Sequence, residues 1–260
     1  MDLLLLVGSL VGCFKMEKNF ECKKCGWCCK NFSQEKGVNG LPLFEWEKKK
    51  FEELAEEKGI KLDIQPTDLI FDKRSNRHIC VNYSMKNEPC PFLENNQCSI
   101  YTDRPLVCKS FPLAKSPLIP SKDGILNLSG FMKCEHFDNE QFMIHGLGLK
   151  KEGVGVHLDK PFMIKKYSEV YGDEPLIYSS IRQMIEEFID ETIKKLIEDK
   201  KVKFRKVSKF DLDKFAPTSI FDFFVIKGLM DETAKETTIK KLRDPTFIQE
   251  TINELKKKNN

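Results

Sequence analysis

Cys22, Cys25, Cys28 and Cys29 fall within eight residues of one another, in the run Phe20-Glu-Cys-Lys-Lys-Cys-Gly-Trp-Cys-Cys. That spacing is a metal-ligand pattern. A C-x2-C unit lets the backbone fold around one ion so that both thiolates reach it, and a third cysteine at the same interval continues the wrap, as in zinc and iron–sulfur loops. Cys29 adds a complication. Side chains of adjacent residues diverge in a helix and oppose one another in a strand, so Cys28 and Cys29 are not expected to serve one tetrahedral ion together. Either two metal centres meet at this pair, or one centre has a spare thiol beside it.

Cys80, Cys90, Cys98, Cys108 and Cys134 complete a set of nine, all in the first half of the chain. At 260 residues the protein can bury an ample core and needs no staples to fold. Disulfides are the plainer alternative, but they are rare in the cytosol outside hyperthermophiles, and an odd, clustered set suits them poorly. A buried free thiol is an ordinary explanation for Cys80 or Cys134 taken singly. For the run itself, metal binding is the stronger reading. A structural zinc site contributes on the order of 10–16 kcal/mol, against about 2–4 kcal/mol for a disulfide.

Neither common template fits the spacing. The run starts like a bacterial ferredoxin string, yet no fourth cysteine follows three residues later with a proline behind it, and the one Cys-Pro is Cys90-Pro91. A zinc ribbon needs a second C-x2-C knuckle, which the later cysteines are too widely spaced to make. The C-x3-C-x2-C signature of radical S-adenosylmethionine chemistry is absent. Eight thiolates suffice for two zinc ions or two 4Fe-4S clusters, with a ninth bridging or free. His78 and His136 each stand two residues from a cysteine and could complete a soft site, although a surface or hydrogen-bonded histidine is the default. His145 and His157 have no cysteine neighbour. Trp27 is expected to shield the metal from water, and Arg104 to place a guanidinium near thiolate charge or to lie on the surface.

The elements that must position these groups read as follows. Leu41 to Lys58 is expected to be a helix with Phe44, Phe51, Leu54 and Ala55 on one side, stopped by Gly59. Ile64–Asp72 and His78–Tyr83 read as a hairpin that delivers Cys80. From Cys90 to Pro112 the density of cysteine, proline and turn residues predicts ligands on loops. Leu118 to Leu128 reads as a further strand pair around Asp123-Gly124. Beyond Cys134 helical periodicity takes over. Ile181, Met184, Ile185, Phe188, Ile189, Ile193, Leu196 and Ile197 form one stripe, with Ser180 and Gln183 expected as its capping box. Asp244-Pro245 opens a last helix carrying Ile248, Ile252 and Leu255.

With 43 basic and 40 acidic residues, the net charge of +3 gives no indication of nucleic acid. The lysines of 194–206 read as a solvated face. Leu3 to Phe14 is apolar for about 12 residues, short of the ~20 a membrane span requires, and it lacks the basic flank of a secretory signal. Leu10-Val11-Gly12-Cys13 also reads as a lipoprotein cleavage box, against which that missing flank weighs. Residues 1–15 are therefore expected to be a non-native start or a short apolar segment, with Met16 as initiator. The glycines of 146–155 open no nucleotide-binding helix.

Taken together, Phe20-x-Cys22-x-x-Cys25-Gly26-x-Cys28-Cys29, Cys90-Pro91-Phe92-Leu93, Cys98-Ser-Ile-Tyr101, Arg104-Pro105 and Cys108-Lys-Ser-Phe111-Pro112 resemble the CxxCxxCC cysteine-cluster family over about residues 18–135. The resemblance implies a zinc- or iron-chelating domain, sometimes labelled iron–sulfur. Its ligands would be Cys22, Cys25, Cys28, Cys29, Cys90, Cys98 and Cys108, with Cys80 and Cys134 as weaker members. One relative, the flagellin lysine N-methylase, attaches the same cysteine pattern to a modifying enzyme; the helical half of this chain shows no motif that matches it.

The expectation is a cytoplasmic α+β protein. A cysteine-rich metal-binding domain of loops, short strands and few helices spans 16–145, and a helix-rich part spans 150–260. It would hold one or two zinc ions or iron–sulfur clusters. Two alternatives stand beside this: a redox or lysine N-methylase-like enzyme that uses the cluster, and a metal-folded module that presents a surface to a protein partner. No nucleic acid partner and no membrane span are expected.

Overall fold

Residues 64–72 and 77–85 are rich in aromatic and β-branched residues and are separated by a polar turn, and the fold is built on the hairpin they make. The computed structural model describes residues 25–32, 40–113, 116, 118, 168–169, 171–207 and 217–257. In chain order these contain α1 (Trp27–Lys30), β1 (Leu41–Leu43), α2 (Glu45–Glu57), β2 (Ile64–Asp72), β3 (Arg77–Met85), β4 (Leu93–Glu94) and β5 (Gln97–Cys98). There follow a 3₁₀ turn (Tyr101–Asp103), α3 (Leu106–Lys109), α4 (Asp173–Glu198), β6 (Phe204–Lys206), β7 (Thr218–Ser219), α5 (Ile220–Ile226), α6 (Glu232–Leu242) and α7 (Thr246–Lys257). The architecture is α+β, with its carboxy-terminal part rich in helix.

β2 and β3 pair antiparallel in one register, from Ile64 opposite Met85 to Asp72 opposite Arg77, with Asp68, at φ +50, left out of the pairing. The expected hairpin is present and longer than the sequence suggests. β2 takes one edge of β3, so β1 and β7 share the other: β1 antiparallel against Tyr83–Met85, β7 parallel against Ile79–Cys80. β6 then extends the sheet beyond β2. Asp72 locks the turn by accepting from the Arg74 and Ser75 N–H groups at 3.1 and 3.2 Å.

Two expectations are corrected. Leu41–Leu43 is a strand and not the start of a helix. Pro42 biases the residue before it toward extended backbone and is tolerated on a sheet edge, so α2 begins only at Glu45. Gly59, at φ +65, ends the turn as expected. The long helix α4 opens at Asp173, a full two turns before Ser180. Ser180 is buried inside it and returns its hydroxyl to the Leu176 carbonyl at 2.7 Å, while Gln183 accepts from the Ser116 N–H at 3.2 Å. The pair is no capping box. Pro175 in the first turn costs no hydrogen bond, and acidic Asp173 and Glu174 suit the positive end of the helix.

Two cores flank the hairpin. The larger gathers Ile181, Ile185 and Ile189 of α4, Phe221, Phe223 and Phe224 of α5, and Ile248 and Ile252 of α7 against Phe44 and Ile79. α7 begins as expected, with Asp244 accepting from the Thr246 N–H at 2.9 Å. The smaller core joins Leu41, Leu43, Phe51, Ala55, Met85, Phe92, Ile100 and Val107. Phe51 and Phe92 meet edge to face at 5.1 Å. Each such ring contributes about 1.5–3 kcal/mol by leaving water. Cys90, Cys98 and Cys108 pack against the rim of this core.

Residues 1–15, most of the strand pair expected over 118–128 and the boundary expected near 145–150 lie outside the described residues. On either side of that boundary, the described residues share one sheet and one core. Among the described residues, no helix is long and apolar enough to cross a membrane.

Candidate metal centre

Five thiols, those of Cys28, Cys29, Cys90, Cys98 and Cys108, are gathered where the α1 loop meets the segment 90–108, and Cys25 stands just before α1. The junction begins with Gly26. Its φ of +74 is left-handed, and its carbonyl accepts from the N–H groups of Cys29 and Lys30 at 3.1 and 3.0 Å, which winds Cys28 and Cys29 into the single turn of α1. A Cβ at this position would stand 3.2 Å from both methyls of Leu93, so the backbone approaches the β4–β5 hairpin as only glycine comfortably allows. Lys30 reaches across to Asn96 at 2.7 Å. The Cys90 N–H donates to the Cys29 carbonyl at 2.7 Å and joins the two cysteine-bearing segments through their backbones.

The downstream thiols are held by short, well-braced pieces of chain. Asn95 and Asn96 both adopt positive φ, 49° and 62°, the requirement of a two-residue hairpin turn, and this sets Cys98 opposite Leu93. Phe92 anchors the hairpin in the smaller core. Cys108 rides on α3, where its N–H bonds the Pro105 carbonyl at 2.9 Å. Cys25 precedes α1, and its Sγ accepts the Trp27 N–H at 3.4 Å. Trp27 itself is partly buried within α1.

Electrostatics register the clustering. Burial first, then the neighbouring thiols of Cys90, Cys28 and Cys98, push the Cys108 thiol well above its ordinary value. Burial, with Cys98 and Cys28 adding to it, pushes Cys90 up to about 11. Cys98 is raised by burial and by Cys28. Cys28 is raised chiefly by its hydrogen bond with Cys29, then by burial. Arg104 acts in the opposite sense and lowers both Cys98 and Cys108. It is fixed by stacking 3.6 Å from the Tyr101 ring centroid and by bonds to the Tyr101 carbonyl and to Glu174, at 2.8 and 3.1 Å. An open depression of ≈ 480 Å³, lined by Lys30, Pro89, Cys90, Leu93, Asn95 and Asn96, adjoins the cluster.

Cys80 stands elsewhere. It is buried in the middle of β3, paired with Leu69 and Ser219, with its thiol donating to the Asn82 carbonyl at 2.8 Å. His78, two residues before it, is fully buried beside Phe71, ring centroids 5.4 Å apart. Cys22, Cys134, His136, His145 and His157 lie outside the described residues.

The donor chemistry suits a soft cation. Several half-buried thiols stand near one another, the ionisation of Cys28, Cys90, Cys98 and Cys108 is disfavoured by a neighbouring thiol, and a bound cation would reverse that penalty. All seven described cysteines are free thiols, so the disulfide alternative does not hold among them. Among the described residues, no three His, Cys, Asp or Glu side chains stand in an arrangement that closes on one ion.

One residue of the neighbourhood escaped the sequence reading. Glu47, third in α2, accepts from the Phe44 N–H at 2.9 Å and from the Leu106 N–H at 2.6 Å. A glutamate at the third helical position was the available signal for the first bond. Nothing local signals the second, which spans 59 residues.

No curated protein matches the chain, and no solved structure does. Residues 21–142 match the family model CxxCxxCC, described as "Putative zinc- or iron-chelating domain". Over that segment, which holds all nine clustered cysteines, the chain is similar to the CxxCxxCC family.

Proposed function

We propose that this protein chelates zinc or iron on a thiolate centre formed by Cys25, Cys28, Cys29, Cys90, Cys98 and Cys108, holding one or two zinc ions or an iron–sulfur cluster. The observation that carries the reading is the 2.7 Å backbone bond from Cys90 to Cys29, which brings two cysteine-bearing segments distant in sequence to one place. Soft sulfur donors select zinc, copper(I) or iron–sulfur clusters over hard cations. Cys22 continues the same run and joins the set as a further ligand. Cys80, hydrogen-bonded within the sheet, is left out. Free thiols in this number persist in a reducing compartment, which supports a cytoplasmic location.

The test is anaerobic purification followed by measurement of zinc, iron and inorganic sulfide per chain, with the visible spectrum. Metal near one or two ions or one cluster per chain is expected. Brown, sulfide-containing protein would identify a cluster, and colourless protein a zinc centre. Replacing Cys25 and Cys28 together by Ser should abolish metal content. Full metal content in that variant would remove the run from the ligand set, and a metal-free wild-type chain would end the proposal.

A further inference from the structure

Glu47 belongs to no thiol and lies outside every cysteine motif, yet both of its carboxylate oxygens are committed. Oε2 accepts from the Phe44 N–H at 2.9 Å, at the start of its own helix, and Oε1 accepts from the Leu106 N–H at 2.6 Å, at the start of α3. The residue is partly exposed while its carboxyl group sits inside, and Arg182 and Arg243 supply the facing positive charge. Phe44 offers no side-chain oxygen to complete a reciprocal cap, so only the glutamate's half of that exchange is made, through Oε2, and Oε1 serves the other helix.

That second bond matters because of what α3 carries. The helix is four residues long, too short to hold its own orientation, and Cys108 is its third residue. The Leu106 N–H is one of the end groups that no helical carbonyl reaches. Resting on the chelation reading above, we infer that Glu47 is a positioning residue for the metal centre: it clamps the first turn of α3 to α2 and so aims the Cys108 thiol at the other thiols. A carboxylate with two acceptor oxygens is needed. Glutamine offers one acceptor, and its amide N–H₂ would confront the second donor.

The experiment uses the full chain, reduced and stripped of metal, titrated with zinc against a competing chelator and separately with cobalt(II), whose sulfur-to-metal absorption reports the ligand geometry. Wild type, Glu47→Gln, Glu47→Ala and Asp231→Ala are compared. Asp231 caps α6 by accepting from the Ala234 N–H at 2.7 Å and serves as the control for lost stability alone. The expected result is zinc binding about 10- to 100-fold weaker in Glu47→Ala with an altered cobalt band. Glu47→Gln should fall between it and wild type, and Asp231→Ala should match wild type. Zinc affinity within twofold of wild type and an unchanged cobalt band in Glu47→Ala would overturn the inference. So would an equal loss in Asp231→Ala. If Glu47→Ala does not fold, Glu47→Gln alone decides between the same two outcomes. A wild-type chain that binds neither metal would bring down the chelation reading itself, and this one with it.

Discussion

The Cys90 N–H points at the Cys29 carbonyl across 2.7 Å, so a residue of the amino-terminal cysteine run and a residue 61 positions later share one peptide hydrogen bond. A backbone bond of this kind sets where the two cysteine-bearing segments lie by folding alone.

Cys90 and Cys80 separate the metal reading from a general need for cysteine. Both are cysteines on the amino-terminal half, yet one packs at the thiol cluster and the other bonds the Asn82 carbonyl within β3. Cys90→Ala is expected to lose at least half of the bound metal, whereas Cys80→Ala retains it in full and loses about 1 kcal/mol of stability. Elemental analysis with urea denaturation checks both, and loss of metal from Cys80→Ala would place that thiol in the centre.

Gly26 and Gly59 both have left-handed backbones, at φ +74 and +65, but only Gly26 faces a neighbour. Alanine at either position costs about 1–2 kcal/mol of backbone strain. In Gly26→Ala the new methyl also pushes on Leu93, so zinc affinity falls as well; in Gly59→Ala it does not. Equal zinc affinity in the two variants would show that the close approach of α1 to the hairpin is irrelevant to the centre.

Asp72 ties the hairpin turn to the carboxy-terminal half, accepting from the Lys203 N–H at 2.9 Å and from the Lys227 ammonium at 2.5 Å. Burial pushes its carboxyl up, but the Lys203 N–H, Lys227, Ser75 and the Arg74 N–H more than offset this and hold it at about 2, against an ordinary 3.8. A folded-state pKa below the unfolded one stabilises fully above pH ~4 and loses that contribution as pH falls through about 2. Asp72→Asn should cost about 3–5 kcal/mol at neutral pH, because it strands the Lys227 charge. The gap to wild type, measured by urea denaturation, should narrow below pH ~4; a gap independent of pH would sink the assignment.

Ile185 is fully buried in the larger core, which residues of both halves build. Ile185→Ala is expected to cost about 2–5 kcal/mol. Thermal unfolding followed by circular dichroism should keep a single transition at a lower temperature. A second transition appearing in the variant would show that the halves melt separately.

Local signals carried much of this protein into view from its residues alone. The β2–β3 hairpin was legible because polar Lys73–Asn76 interrupts two strand-forming runs, and α7 because Asp244-Pro245 is a cap whose chemistry is local. The cysteine run announced its sulfur chemistry through spacing. Where the reading slipped, a distant partner had intervened: Leu41–Leu43 is drawn into a strand by the edge of β3, and Ser180 leaves its expected cap because α4 continues back to Asp173.

Composition and spacing alone determined that cysteines would crowd the first half of the chain and that helix would fill its carboxy-terminal part, since both follow from residue type within a few positions. Only the tertiary structure decided which thiols meet, that Cys80 stays in the sheet, that β6 and β7 from the helical half complete that sheet, and that Glu47 holds the helix of Cys108. Those relations join residues tens of positions apart. No local periodicity encodes them, because they depend on which buried surfaces and orphaned N–H groups find one another once the chain has collapsed.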